Sequence, residues 1–255
     1  MPVTPRETSP TSLGVRLSAA LAVVPLLRLA VVRHAVPVGS PWRTGCAGCA
    51  APIGLDRPWP ALSPVARCGR CGARVGAPPG VVEAAVVAAV AAVILIGAPP
   101  LPTVALLWWL GWVVPAALVD LAVHRLPDRL TYPAAAGTWM LLGLAAATGA
   151  GTAPWLRATA AGLGLALFFA ATTLLLGRRG FGLGDAKLAL GVGLLLGWYG
   201  WSVLFLGVLT AFGFSALVSL ALLATRRATW STHLPFGPHL TLATLTTLTT
   251  LLLPP

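Results

Sequence analysis

Apolar stretches about as long as a bilayer is thick recur along this chain, and they leave it few folds to choose from. A helix crossing the hydrocarbon core needs about 20 mostly apolar residues. Eight stretches bounded by charge, Pro or Gly approach that length: Leu13 to Val32, Val81 to Gly97, Leu101 to Asp120, Tyr132 to Ala147, Leu156 to Leu176, Asp185 to Tyr199, Trp201 to Ala224 and His239 to Leu253. Only 9% of the 255 residues are charged, against roughly 25% in a soluble domain that must coat itself for water. The reading is an all-α polytopic membrane protein with about eight transmembrane helices. Its first helix is the most interrupted, by Arg16, Pro25 and Arg28. Arg16 is expected to snorkel outward and Arg28 inward along their aliphatic stems.

The formal net charge of +11 does not point to nucleic acid, because the arginines sit between apolar segments instead of clustering on a solvated face. They alternate instead. Arg33, Arg43, Arg57, Arg67, Arg70 and Arg74 follow the first stretch; Arg125 and Arg129, Arg178 and Arg179, and Arg226 and Arg227 fall in every second loop thereafter. The opposite side has little more than Arg6 and Arg157. Positive charge is retained on the cytosolic side, so those loops are expected in the cytosol, with both termini outside.

Three regions follow: 1–33, an N-terminal transmembrane helix; 34–80, a small cytosolic module without a spanning pattern; and 81–255, a transmembrane core. All four cysteines fall in the module, as Cys46-Ala-Gly-Cys49 and Cys68-Gly-Arg-Cys71, eighteen residues apart. Two such knuckles put four thiolates on two tight turns, the tetrahedral donor set of a structural Zn2+ in a ribbon-like insertion. A reducing cytosol disfavours the alternative of two disulfides.

With six acidic side chains in all, each one beside an apolar run needs a reason, since desolvating a carboxylate is costly. Asp120 ends the third stretch and Asp185 opens the sixth, in Gly180-Phe-Gly182-Leu-Gly184-Asp185-Ala-Lys187-Leu. Two crossings lie between them, which returns the chain to one membrane face and sets both carboxylates at one depth. A close pair of carboxylates titrates as a unit and shares a proton, the machinery of an aspartyl protease. Gly182 and Gly184 are expected to supply positive φ and to let a substrate backbone approach. Lys187 is expected to act electrostatically on Asp185. Asp185 alone is equally well explained as a helix cap, Asp120 alone as a partner of Arg125, and Asp128 after Pro127 as a turn or cap residue. His124 and His233 read as interfacial side chains.

Taken in order, these motifs resemble the type IV prepilin peptidase family, membrane aspartyl proteases of the Gly-x-Gly-Asp type. The resemblance runs from about Cys46 to Pro238 and includes Cys68-Gly-Arg-Cys71-Gly72, Pro79-Gly-Val-Val-Glu83, Asp120 with Leu126-Pro127-Asp128 and Leu130-Thr131, the Gly182-Leu-Gly184-Asp185 segment, and Pro235-Phe-Gly-Pro238. It implies that Asp120 and Asp185 are the catalytic pair and that the chain cuts a short basic leader from prepilin or pseudopilin precursors at the cytosolic face of the bacterial inner membrane. It also implies N-methylation of the new terminus with S-adenosylmethionine, linked to the cysteine module. Glu83 has two readings, methyl transfer and packing. Two other classes compete: a proton- or cation-coupled transporter working through the same aspartates, and a non-enzymatic zinc-bearing assembly factor. A transporter would show an inverted repeat and helices broken at mid-depth, and the sequence shows neither.

Overall fold

The structure, a computed structural model, describes residues 18–252 apart from 38, 178–180, 228, 230–231 and 233. Among these are eight α-helices of eleven residues or more: α1 Val24–His34, α2 Val81–Ile96, α3 Pro100–Val123, α4 Asp128–Ala145, α5 Thr152–Leu176, α6 Leu183–Tyr199, α7 Trp201–Ala224 and α8 Gly237–Leu252. No strand occurs among the described residues, only two isolated bridges inside the cysteine module. Four helices are long and apolar enough to cross a membrane: α3, α4 with its π-helical extension to Ala150, α5 and α7. The first expected span starts outside the described residues. Its visible part is interrupted by a turn at Val23, two residues before Pro25, whose ring and missing N–H oppose a continuous helical ladder.

The helices differ in how they meet their surroundings. Along α6 nearly every side chain from Ala186 to Trp198 is buried, whereas α7 buries only Leu204, Gly207 and Ala211. A helix apolar all round and buried all round is a core helix, so α6 is the axis of the bundle and α7 an outer, lipid-facing element. Small residues hold α6 against α5: a Cβ on Gly193 would lie 2.6 Å from the Cα of Gly162, and one on Gly197 would lie 3.2 Å from the Cα of Ala158. Where lipid removes the hydrophobic drive between helices, close backbone approach through small residues supplies it. At the C-terminal end of α6, Arg157 donates from Nε and Nη2 to the carbonyls of Gly197 and Trp198, at 2.7 and 2.5 Å. A cation there matches the negative end of the helix dipole.

Arg28 does not snorkel. It is 1% exposed and forms a bidentate pair with Glu83, Nε to Oε1 at 2.8 Å and Nη2 to Oε2 at 2.6 Å, with Nη1 also reaching the carbonyl of Ala77 at 3.4 Å. A guanidinium this far from water is tolerated where a carboxylate meets its planar fork. The pair therefore ties α1 to the start of α2, and of the two readings of Glu83 this contact is the packing one.

Candidate active site

Asp120 lies in the last turn of α3 and is 5% exposed. Asp185 is the third residue of α6. Each accepts one hydrogen bond from the first turn of a helix: Gly237 N–H, opening α8, donates to Asp120 Oδ2 at 3.2 Å, and Gly182 N–H, capping α6, donates to Asp185 Oδ2 at 3.0 Å. First-turn amides lack intrahelical acceptors and carry the positive end of the helix dipole. Two helix N-termini are thus spent on two carboxylates, and both Oδ1 atoms accept no hydrogen bond among the described residues.

Side chains around the pair bring the two loops together. Leu126, in the α3–α4 turn, lies where a Cβ on Gly184 would meet it at 3.0 Å and one on Gly237 at 3.4 Å, so one leucine touches the immediate neighbours of both aspartates. Phe181 and Phe236 directly precede the two donor glycines, and their rings pack with centroids 5.0 Å apart. Phe169 and Phe212 complete the cluster, at 4.7 Å from Phe181 and 5.3 Å from Phe236 respectively. Aromatic pairs in such tilted geometries add about 0.5–1.5 kcal/mol each beyond area burial, enough to pin one loop to the other. These contacts set the loops that carry the two carboxylates against one another.

Several expectations change at this level. Neither glycine has positive φ. Gly182 is extended at φ −73°, ψ 149°, and Gly184 lies within α6; what Gly184 provides is room for Leu126. Lys187 does not face Asp185: its Nζ meets Asp128 Oδ1 at 2.5 Å, an ion pair that fastens the start of α4 to the start of α6. Arg125 donates to the carbonyl of Pro37 at 3.2 Å instead of pairing with Asp120. His124 is the left-handed C-cap of α3 at φ 51°, and His233 lies outside the described residues. The residues that spacing alone failed to mark are Phe181, Phe236 and Gly237. Phe236 and Gly237 are signalled by the Pro235-Phe-Gly-Pro238 string and Phe181 by the Gly180-Phe-Gly182 segment, neither with a role attached.

In the cysteine module the two knuckles fold alike. Cys46 N–H bonds Ala51 O and Ala50 N–H bonds Cys46 O, at 2.8 and 2.9 Å; Cys68 N–H bonds Ala73 O and Gly72 N–H bonds Cys68 O at the same distances. All four sulfurs lie within 4.8 Å of one another, with Cys46–Cys71 at 3.6 Å and Cys49–Cys68 at 3.7 Å. These are too long for disulfides at about 2.05 Å. They match the edge of a tetrahedron with metal–sulfur bonds of about 2.3 Å, roughly 3.8 Å. Amides of Cys71 and Arg70 pull the Cys68 thiol down to about 6. The Ala73 amide also pulls on Cys71, but the thiols of Cys49 and Cys46 push it up to about 12. Four sulfurs at this spacing form a tetrahedral donor set, and it fits one thiophilic cation.

Residues 104–225 match the type IV leader peptidase family, a stretch that holds both aspartates but neither the cysteines nor Gly237. A prepilin leader peptidase/N-methyltransferase of Aeromonas hydrophila is 33% identical over 205 residues, covering 79% of this chain and 69% of the relative. One from Aeromonas salmonicida matches at 33% over 207 residues with the same coverage, and one from Pseudomonas putida at 43% over 70 residues, 28% of this chain and 23% of the relative. No solved structure matches. Extent and identity together place this chain in the type IV leader peptidase family.

Proposed function

We propose that the chain is a membrane-embedded aspartyl endopeptidase in which Asp120 and Asp185 cut the leader from type IV prepilin-like precursors at the cytosolic face. The observation that carries the reading is the convergence of two carboxylates, each fixed by one amide and each with an Oδ1 that accepts no hydrogen bond among the described residues, at one end of the helix bundle. The ionised member takes a proton from a water between them, the hydroxide attacks the scissile carbonyl, and the protonated member donates to its oxygen. Collapse of the tetrahedral species breaks the C–N bond, with the amine leaving protonated. Helix dipoles keep a net negative charge tolerable at that depth.

The same proposal takes the eight apolar stretches, the first of them Leu13 to Val32, as spanning, with the arginine-rich loops in the cytosol of a bacterium and the core in its inner membrane. It takes the four thiols as holders of a structural Zn2+. N-methylation of the freed terminus, with S-adenosylmethionine as donor, is the activity named for the relatives and the second step proposed here; no residue is assigned to it. The test uses the purified full chain in detergent with a precursor carrying its basic leader. Release of the leader, read by mass spectrometry, supports the reading, and a gain of one methyl only when S-adenosylmethionine is added supports the second step. A folded chain that leaves every precursor intact overturns both.

Gly237 gives a sharper expectation. A Cβ there would lie 2.8 Å from Asp120 Oδ2, so Gly237→Ala must push that carboxylate away. A displacement on the order of 1 Å at a reacting group costs about 10²-fold. Cleavage is expected to fall by roughly that factor in kcat, with the melting temperature within a few degrees of wild type.

A further inference from the structure

Two clefts beside α1 share part of their walls and run into one another. The first, of about 370 Å³, is lined by Arg33, His34, Trp42, Arg125, Asp128 and Arg129 among others. The second, of about 880 Å³, is an apolar groove between α1, α3 and the cysteine module, with Leu26, Leu107, Trp108 and Trp112 in its wall. Arg33, His34, Trp42 and Arg129 line both. Neither is lined by Asp120 or Asp185.

The charges of the first cleft are unbalanced. Its one carboxylate, Asp128, is held by Lys187. Arg125 is turned to a backbone carbonyl, and Arg129 lies over the Trp42 ring at 3.8 Å. The Arg33 carbonyl accepts from Arg43 N–H at 3.0 Å, while its guanidinium has no hydrogen-bond or ion-pair partner among the described residues. His34 uses Nδ1 on the carbonyl of Ala30 at 2.8 Å, while its Nε2 is buried without a partner. Asp56 stands at the far lip of the groove, where its carboxylate adds the only other negative charge of the lining. The groove wall is greasy and open: Leu26 is 51% exposed and Trp108 41%.

We propose that this continuous surface binds one anionic phospholipid, its phosphate on Arg33 and Arg129 and an acyl chain along the groove between α1 and α3. A cationic mouth leading into an apolar trough is complementary to a molecule with one anionic end and one hydrocarbon end. It is the wrong polarity for a basic leader, which three guanidiniums would repel. The proposal is independent of the chemistry at Asp120 and Asp185.

The test is native mass spectrometry of the purified, delipidated full chain titrated with dioctanoyl phosphatidylglycerol, dioctanoyl phosphatidylcholine or inorganic phosphate. The expected result is a single phosphatidylglycerol adduct, with phosphatidylcholine and inorganic phosphate each weaker by about tenfold or more. Arg33→Gln with Arg129→Gln lowers the affinity by an order of magnitude or more, while Arg226→Gln with Arg227→Gln leaves it unchanged. Leu107→Trp, which fills the trough without touching the arginines, weakens the lipid but not inorganic phosphate. Equal binding of the two lipids overturns the proposal, as does an effect of the arginine pair without any effect of Leu107→Trp, which would mean a free phosphate site. Displacement of the lipid by a precursor's apolar segment at equimolar concentration would reassign the groove to substrate.

Discussion

Asp120→Asn and Asp185→Asn are each expected to lower leader cleavage by about 10³-fold or more, with normal amounts of chain in the membrane. A positioned proton-transfer group contributes typically 10²–10⁴-fold, and here neither carboxylate is useful without the other, so losing one forfeits both roles and the double variant falls little further. Asparagine keeps the shape and the acceptor. Its Oδ1 still takes the amide of Gly237 or Gly182, the contacts seen at 3.2 and 3.0 Å, so the helix ends remain capped. Removing one of two neighbouring negative charges also relieves repulsion in a site poor in water. The melting temperature is therefore expected to stay level or rise while activity collapses, the opposite of what a damaged fold would give. Rates come from a precursor-cleavage gel, stability from thermal unfolding in detergent. A transporter or an assembly factor predicts uncut precursor with wild type as well; retention of more than a tenth of the cutting by either variant removes that aspartate from the chemistry.

How much of this site was open to a reader of the sequence depends on how far each property reaches along the chain. Helix positions are local: the apolar run Trp201 to Ala224 is α7 to the residue, and Val81 starts α2, because hydropathy and helix-stopping glycines act within a turn or two. The expectation that Asp120 and Asp185 share one face needed only a count of the two apolar stretches between them. Partner identity is another matter. Gly237 finds Asp120 across 117 positions, Lys187 finds Asp128 across 59, and Arg28 finds Glu83 across 55. No periodicity encodes those pairings, which is why Lys187 looked like a companion of Asp185 two residues away. The glycines misled for a related reason. Small size serves backbone freedom and side-chain clearance equally, and only the position of Leu126 tells which one Gly184 supplies.

The cysteine module is where loss of a metal should be felt most, and where cutting should survive. Structural zinc in small cysteine modules supplies on the order of 10 kcal/mol of folding free energy at neutral pH, far more than the few residues of its core provide. That core is Leu29 and Val32 of α1 packed on Cys46, Ile53, Leu62, Cys68 and Val75. Cys46→Ser with Cys68→Ser is therefore expected to lower bound zinc from about one per chain to near zero and to expose residues 44–76 to protease and hydrogen exchange. Lowering the pH should act in the same direction, since protons compete with metal for thiolates. The supports of Asp120 and Asp185 lie elsewhere, in α3, α6, α8, Leu126 and the phenylalanine cluster, so leader cleavage should stay within about tenfold of wild type, against the 10³-fold expected for the aspartate variants. Zinc is counted by elemental analysis and exposure by exchange of the 44–76 amides. A cysteine variant as protected as wild type would show that no metal holds the module. Cleavage lost as completely as in Asp120→Asn, with α3 and α6 still protected, would move the metal into the proteolytic step and require a path from the knuckles to the carboxylates that the present geometry lacks.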